Sequence, residues 1–338
     1  MGRSYNVAVV GATGIVGEEF LKILAKRTFP LKSLKLLASH RSAGKRIPFR
    51  DEVLEVEALT PQSFEGADIA FISATDEVSR DYCPIAAKAG AVAIDDSGVW
   101  RMDPDVPLVV PEINPQDVEH HKGILAIPNC STTPVVMTLW PLHQRNRVRR
   151  IVASTYQSVS GTGRAAVDEL QASTRRVIEG AEFQPHVYPH QIAFNLIPEI
   201  GSMKENGYTS EEMKMANESR KIMHDDSIAI SATCVRVPVY FAHSAAVNAE
   251  FEQPIDPAEV RKLLSCAPGV VVQDDLPAHQ YPMPAEAAGK DPVFVGRIRR
   301  DISTENGISF WVVGDNLRKG AALNALQIAE EMISRGVL

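Results

Sequence analysis

Apolar and polar positions change their rhythm along this chain, and the rhythm predicts its elements. Tyr5 to Val10 (YNVAVV) is a short, nearly continuous apolar run, the pattern of a strand buried on both faces. Glu18 to Lys26 then carries apolar residues at Phe20, Leu21 and Leu24, which is helical spacing. Further strands are expected at Leu34 to Ala38, Ile69 to Ser73, Ala91 to Asp95 and Leu108 to Val110, with a helix over Ser79 to Ala89. Strands alternating with helices predict a parallel, doubly wound α/β sheet.

Past Pro128 the pattern changes. Ile151 to Tyr156, Ser227 to Val239, Ala245 to Glu252, Val293 to Ile298 and Ile308 to Val313 read as longer strands, several with polar/apolar alternation. That alternation predicts an α+β part with a mainly antiparallel sheet, one face covered by helices. Helices are expected over Gly163 to Glu179 and Ser210 to Met223 for that cover, and over Leu317 to Ile333 at the end of the chain. The expected division is a first domain over 1–128 plus the closing helix 316–338, and a second over 129–315. Residues 180 to 210 and 274 to 292, rich in Pro, Gly and His, read as long irregular segments.

Composition narrows the function classes. The 338 residues are 45% hydrophobic and 23% charged, ordinary for a globular chain of about two domains. The formal net charge of −7 argues against nucleic-acid or anionic-membrane partners. No apolar run approaches the ~20 residues of a membrane span. The first strand begins at Tyr5, which leaves no room for a signal peptide, so a cytoplasmic location is expected. Cys83, Cys130, Cys234 and Cys266 show neither a disulfide framework nor ligand spacing, and no metal site is expected.

Two segments carry chemistry. Gly11-Ala-Thr-Gly14-Ile-Val-Gly17 joins the first strand to the first helix, where glycines let a backbone approach a pyrophosphate and the helix N-terminus favours its charge. The second strand ends in Ser39-His40-Arg41-Ser42, without the carboxylate that usually bonds the ribose of NAD. Two hydroxyls flanking an arginine favour a 2′-phosphate, hence NADP. The other segment is Asn129-Cys130-Ser131-Thr132-Thr133-Pro134, followed by a helical pattern. A cysteine at a helix start meets the positive end of the dipole, which favours thiolate, and nearby N–H groups can stabilise an oxyanion. The other three cysteines read as buried structural thiols.

Four ordered motifs make a specific resemblance. The glycine loop, the N-C-S-T-T segment, Tyr156-Gln157-Ser158-Val159-Ser160-Gly161-Thr162-Gly163 and Arg236-Val-Pro-Val-Tyr-Phe-Ala-His243 together resemble the bacterial aspartate-β-semialdehyde dehydrogenase family, over essentially the whole chain. The resemblance implies NADPH-dependent reductive dephosphorylation of L-aspartyl 4-phosphate to L-aspartate 4-semialdehyde, in the synthesis of lysine, methionine and threonine. It implies Cys130 as nucleophile, His243 as an acid/base of near-neutral pKa and Gln157 as a positioning residue. Arg236 would grip the α-carboxylate, Glu211 the ammonium, and Lys214, Arg101 and Asn129 the phosphate. Cofactor contacts would come from Gly11, Thr13, Gly14, Ile15, Val16, Gly17, Ser39, Arg41, Ser42, Ser160, Gly161 and Asn316. His40 departs from the small residue common at its position, which leaves the strength of NADP preference open. A homodimer is implied, with inorganic phosphate and a small-molecule substrate as partners.

N-acetyl-glutamyl-phosphate reductase shares this build, but Glu211 facing a free ammonium favours the aspartyl substrate. Glyceraldehyde-3-phosphate dehydrogenase is set aside because its NAD-binding acid and cysteine context are absent. A non-catalytic paralogue would have lost Cys130 or His243, and both are here.

Overall fold

A computed structural model describes residues 3–338, which form two compact units: residues up to Asn129 with Ala321–Leu338, and Cys130–Gly320.

In the first unit, β1 (Tyr5–Val10), α1 (Ile15–Lys26), β2 (Leu31–Ala38), β3 (Arg46–Phe49), β4 (Glu52–Ala58), β5 (Ile69–Ile72), α2 (Asp76–Lys88), β6 (Val92–Asp95) and β7 (Ile124–Ala126) follow in order. They build a seven-stranded sheet ordered β3-β4-β2-β1-β5-β6-β7, parallel except for the edge strand β3. Alternation along β1 feeds two cores. Val7 and Val9 face one side with α1 and the closing helix Leu323–Arg335, while Ala8 and Val10 face the other with Cys83 and Ala86 of α2. Burial on both faces is why these strands read as apolar runs. Arg27 clips the closing helix to α1 through two bonds to Glu330, at 2.7 and 2.6 Å.

One expectation fails in this unit, and one hairpin was not expected. Leu108 to Val110 is not a strand: it makes one isolated bridge, Leu108 to Ala126, and the Asn114 side chain occupies two of its other polar groups. Asn114 accepts from the Val110 N–H at 2.9 Å and donates to the Leu108 carbonyl at 2.8 Å. A side chain thus does the work of a neighbouring strand. The hairpin β3–β4 had no counterpart in the sequence reading, because its strands are short, charged and half-exposed.

The second unit contains α3 (Thr132–Arg145), β8 (Val148–Gln157), α4 (Arg164–Ile178), α5 (Ser210–Met223), β9 (Ala229–Arg236), β10 (His243–Phe251), α6 (Pro257–Ser265), β11 (Val270–Val272), α7 (Pro284–Ala287), β12 (Val293–Arg300) and β13 (Gly307–Gly314). Its six-stranded sheet runs β11-β12-β13-β10-β8-β9. The central pairs β8–β10, β10–β13 and β12–β13 are antiparallel, whereas β8–β9 and β11–β12 are parallel. Helices α3, α5 and α6 pack on this sheet. Beyond β13 the chain makes a π-helical turn, Arg318–Ala322, and the regular closing helix (α8) starts only at Leu323, later than its apolar spacing implies.

Candidate active site

Strand register decides what meets in the second unit. β8 buries every other residue, ending Ala153, Thr155, Gln157, and β9 does the same with Ala232, Cys234, Arg236. Because the two strands are parallel, Gln157 and Arg236 are register partners at the same end of the sheet. β10 runs the other way, so its first residue, His243, also lies at that end, opposite Gly314. Gln157, Arg236 and His243 are all at least nine-tenths buried, three polar side chains at one sheet edge.

Their geometry is convergent. A Cβ placed on Gly161 would stand 3.1 Å from Arg236 Nη1 and 3.1 Å from His243 Nε2. Only the missing side chain at 161 leaves that point open. The Arg236 Nη1 donates to the Ser158 carbonyl at 2.7 Å, while its Nε and the His243 Nε2 have no partner among the described residues. His243 Nδ1 accepts from the Ser158 backbone N–H at 3.0 Å and lies 3.0 Å from the Ser158 hydroxyl. An N–H donor aimed at Nδ1 requires that nitrogen to be bare, so the neutral ring carries its proton on Nε2. Burial, with the Arg236 charge adding to it, holds the His243 pKa well below the ordinary histidine value. That corrects the near-neutral value expected from the resemblance.

Asn316, anticipated as a cofactor contact, uses its side chain within the protein. Its Oδ1 accepts from the Ser158 and Ser160 hydroxyls, each at 3.1 Å, and from the Ala242 N–H at 3.0 Å. It therefore braces the turn Val159–Thr162, which carries Ser160 and Gly161, against His243. Ser158 is the residue that sequence reasoning missed; it lay inside a quoted motif, but spacing does not say which atoms meet.

Helix α5 supplies the next pair. Thr209 caps it reciprocally, accepting from the Glu212 N–H at 3.3 Å while its own N–H donates to Glu212 at 2.7 Å. Glu212 also receives the Cys234 N–H at 3.1 Å, which pins the helix start to β9. Glu211 is thereby held inward, accepting from Gln157 Nε2 at 3.4 Å and from Lys214 Nζ at 3.2 Å. The three-residue spacing puts Glu211 and Lys214 on one helix face.

Cys130 precedes Ser131, the N-cap of α3, at the positive end of that helix. Gly320 packs directly on it: a Cβ there would lie 2.9 Å from the Cys130 Cβ. Pro134, one turn into α3, packs likewise on Gly314, the partner of His243, so the cysteine stands at the same sheet end as the histidine. Cys83 and Cys234 are buried, and burial pushes the Cys234 thiol up to about 12 and Cys83 higher still. Cys266, expected to be buried, is exposed because it terminates α6 on the surface.

The first unit presents a dinucleotide-shaped loop. Gly11 has φ +81°, and a Cβ on it would fall 1.9 Å from the Ser73 carbonyl; a Cβ on Gly17 would fall 2.2 Å from the Gly11 carbonyl. Both positions demand glycine. Gly14 is the N-cap of α1 and offers no side chain to the first helical turn, Ile15, Val16 and Gly17, so those N–H groups receive no side-chain cap. Thr13 Oγ1 reaches the Ser42 hydroxyl at 3.4 Å, joining the loop to the Ser39–Ser42 turn, where Arg41 is exposed. Arg101, on the segment after β6, is buried and donates to the Asp96 carbonyl at 2.8 Å; Asn129, past the neighbouring β7, is also buried. The residues present fit a bound dinucleotide: a glycine cradle that any Cβ would fill, beside a helix start without a side-chain cap.

Comparison with known proteins agrees with this geometry. Residues 6–121 match the family model "Semialdehyde dehydrogenase, NAD binding domain", and residues 139–319 match "Semialdehyde dehydrogenase, dimerisation domain". The aspartate-semialdehyde dehydrogenase of Aquifex aeolicus is 52% identical over 99% of each chain. The chain belongs to the aspartate-semialdehyde dehydrogenase family. The structure of the Vibrio cholerae aspartate semialdehyde dehydrogenase II in complex with ASA superimposes with a TM-score of 0.96 at 44% identity, covering 98% of this chain and 99% of that one. The Candida albicans aspartate semialdehyde dehydrogenase, solved with NADP, is 25% identical with a TM-score of 0.79 and covers 99% and 100%. As a member of this family the chain is an oxidoreductase of amino-acid biosynthesis with an NAD(P)-binding domain. Among the described residues, no helix is long and apolar enough to cross a membrane, and no group of three potential ligands could hold a metal ion.

Proposed function

We propose that this enzyme reduces L-aspartyl 4-phosphate to L-aspartate 4-semialdehyde, reversibly, with NADPH and with release of inorganic phosphate. The convergence of Arg236 Nη1 and His243 Nε2 on one open point beside Gly161 carries the reading. Cys130 forms a C–S bond to the acyl carbon, and the bond from that carbon to the phosphate oxygen breaks, leaving a thioester. Bound NADPH supplies the hydride that reduces the thioester carbon. The Nε2–H of His243, held there by the Ser158 N–H on Nδ1, hydrogen-bonds the oxygen as negative charge develops there, and the electron pair then re-forms the carbonyl as the C–S bond breaks, releasing the aldehyde and the Cys130 thiolate. In the reverse direction the same N–H steadies the oxygen as the thiolate adds to the aldehyde. Arg236, already anchored through Nη1, offers its remaining N–H groups to the α-carboxylate, and a planar fork suits that group. Glu211 faces the substrate ammonium, and Lys214, on the same helix face, receives the phosphate.

Preference for NADP over NAD is supported by the absence of a carboxylate where β2 ends and by the Thr13–Ser42 link beside Arg41. NADP in the Candida albicans relative agrees with it. A homodimer formed through the second unit is supported by the family description that its residues match.

The test follows absorbance at 340 nm. L-aspartate semialdehyde and NADP should give phosphate-dependent reduction, with NAD much weaker. Reduction with N-acetylglutamate semialdehyde instead would overturn the substrate, and no reduction with either would overturn catalysis.

A further inference from the structure

Asp96 lies in the first unit at a position that the described chemistry leaves unused. The strands fan out from β1 in two directions, to β2 and β4 on one side and to β5, β6 and β7 on the other. A dinucleotide on an open sheet of this kind crosses the strand ends at that divide. The glycine loop after β1 takes its centre, and the Ser39–Ser42 turn after β2 takes the adenosine side. The other half must pass over the ends of β5 and β6. Ser73 and Asp96 occupy those ends, each the first residue or next to it beyond its strand.

The two adjacent acids at the end of β6 do different things. Asp95 is fully buried, and its Oδ2 accepts from Ser97 through the N–H at 3.1 Å and the hydroxyl at 2.6 Å. Asp96 instead lines a cleft with Gly17, Ser73, Phe20 and Ala325. It is half-buried, with solvent touching its surface, as befits the floor of a cleft. Its Oδ2 accepts from the Ser73 hydroxyl at 3.0 Å, and its other carboxylate oxygen has no partner among the described residues. A charged acceptor at the floor of an otherwise apolar cleft costs free energy unless something donates to it.

We propose that the Asp96 carboxylate accepts a hydrogen bond from a hydroxyl of the nicotinamide-side ribose, and so fixes that half of the dinucleotide. This inference rests on the dinucleotide reading above. A carboxylate at a strand end bonding a ribose hydroxyl is established chemistry on such sheets, at the adenosine side; here the acid stands at the other end. Burial lifts the Asp96 pKa to about 6. Arg101 opposes that rise and Asp95 adds to it; β1, α1 and α8 face the cleft with apolar side chains and Gly17. Protonation below that value weakens the acceptor, so affinity for the full dinucleotide should fall as pH drops through about 6.

Calorimetric titration of the whole protein with NADP and with adenosine 2′,5′-bisphosphate tests this. The second ligand has the adenosine half and no second ribose. Asp96→Ala should raise the Kd for NADP by about tenfold or more, as expected for a lost charge-assisted bond, and leave the bisphosphate unchanged. For each ligand the ratio of its wild-type Kd to its Asp96→Asn Kd cancels the titration of the ligand's own phosphates. For NADP that ratio should rise as pH falls from 7.5 to 5, and for the bisphosphate it should stay flat. Equal weakening of both ligands, or weakening of neither, overturns the assignment. Wild-type protein that binds neither ligand overturns the dinucleotide reading and this inference with it.

Discussion

Gly161→Ala is the sharpest perturbation of the proposed site. Gly161 does not use the left-handed backbone region, so alanine is tolerated there by the main chain. The added methyl carbon would stand 3.1 Å from both Arg236 Nη1 and His243 Nε2, inside the optimum contact of roughly 3.5–4.0 Å. Both side chains, or the substrate between them, must therefore give way by about half an ångström. A displacement of about 1 Å in a reacting geometry costs about 10²-fold, so kcat/KM should fall between about tenfold and 100-fold. That corresponds to about 1.4–2.7 kcal/mol of transition-state stabilisation. Stability should change little, because the lower chain entropy of alanine, about 0.4–1 kcal/mol, offsets part of the crowding. Initial rates of NADP reduction beside a thermal melt separate the two effects. A folded variant within threefold of wild-type kcat/KM would refute the claim that substrate occupies this point.

Cys130→Ala should lower turnover by at least about 10³-fold while leaving the NADP affinity intact, since nucleophile and glycine loop act separately; equilibrium binding and initial rates check it. Nitrogen-15 NMR of His243 should show a bare Nδ1 and a protonated Nε2 at pH 7, with no imidazolium forming down to pH 6, because burial and Arg236 depress its pKa. An imidazolium signal at pH 6.5 would contradict that. Arg147 grips Asp225 at 2.8 and 2.9 Å, with Ser227 adding a bond at 2.6 Å, and these hold its carboxyl well below the usual range. A depressed pKa stabilises the fold above the unfolded value near 3.9 and loses that contribution as pH falls toward the folded one. Asp225→Asn should thus lower Tm by about 2–4 °C at pH 7, with the gap beginning to narrow only below about pH 4; a gap independent of pH argues against the pairing.

What could be read from the sequence divides along physical lines. Tyr5–Val10 and Ser210–Met223 match their expected ranges because each has a single dominant signal. One is an apolar run between two cores, the other a capped helix with acids in its first turn. Leu108 to Val110 misleads because apolar residues report burial, not hydrogen bonding, and Asn114 supplies the bonds from six and four residues away. The β3–β4 hairpin is hidden by its exposed charges. At the site, its place at a helix start announced Cys130, and the family resemblance singled out Gln157, Arg236 and His243. Tautomer and pKa were beyond reach, since they depend on Ser158 and Arg236 meeting a buried His243 across chain separations that no local pattern encodes.

The four cysteines differ in burial, and that sets how the protein meets electrophiles. Cys83 sits beside Asp95 in a closed core, and Cys234 is held protonated beneath α5, so neither offers a thiolate to an alkylating or oxidising reagent at neutral pH. Half-buried Cys130 and exposed Cys266 remain, and they differ in what surrounds them. Solvent reaches Cys266 freely and Cys130 only in part. Alkylation of the folded protein at neutral pH should therefore count two thiols of the four, and the other two should appear only on unfolding.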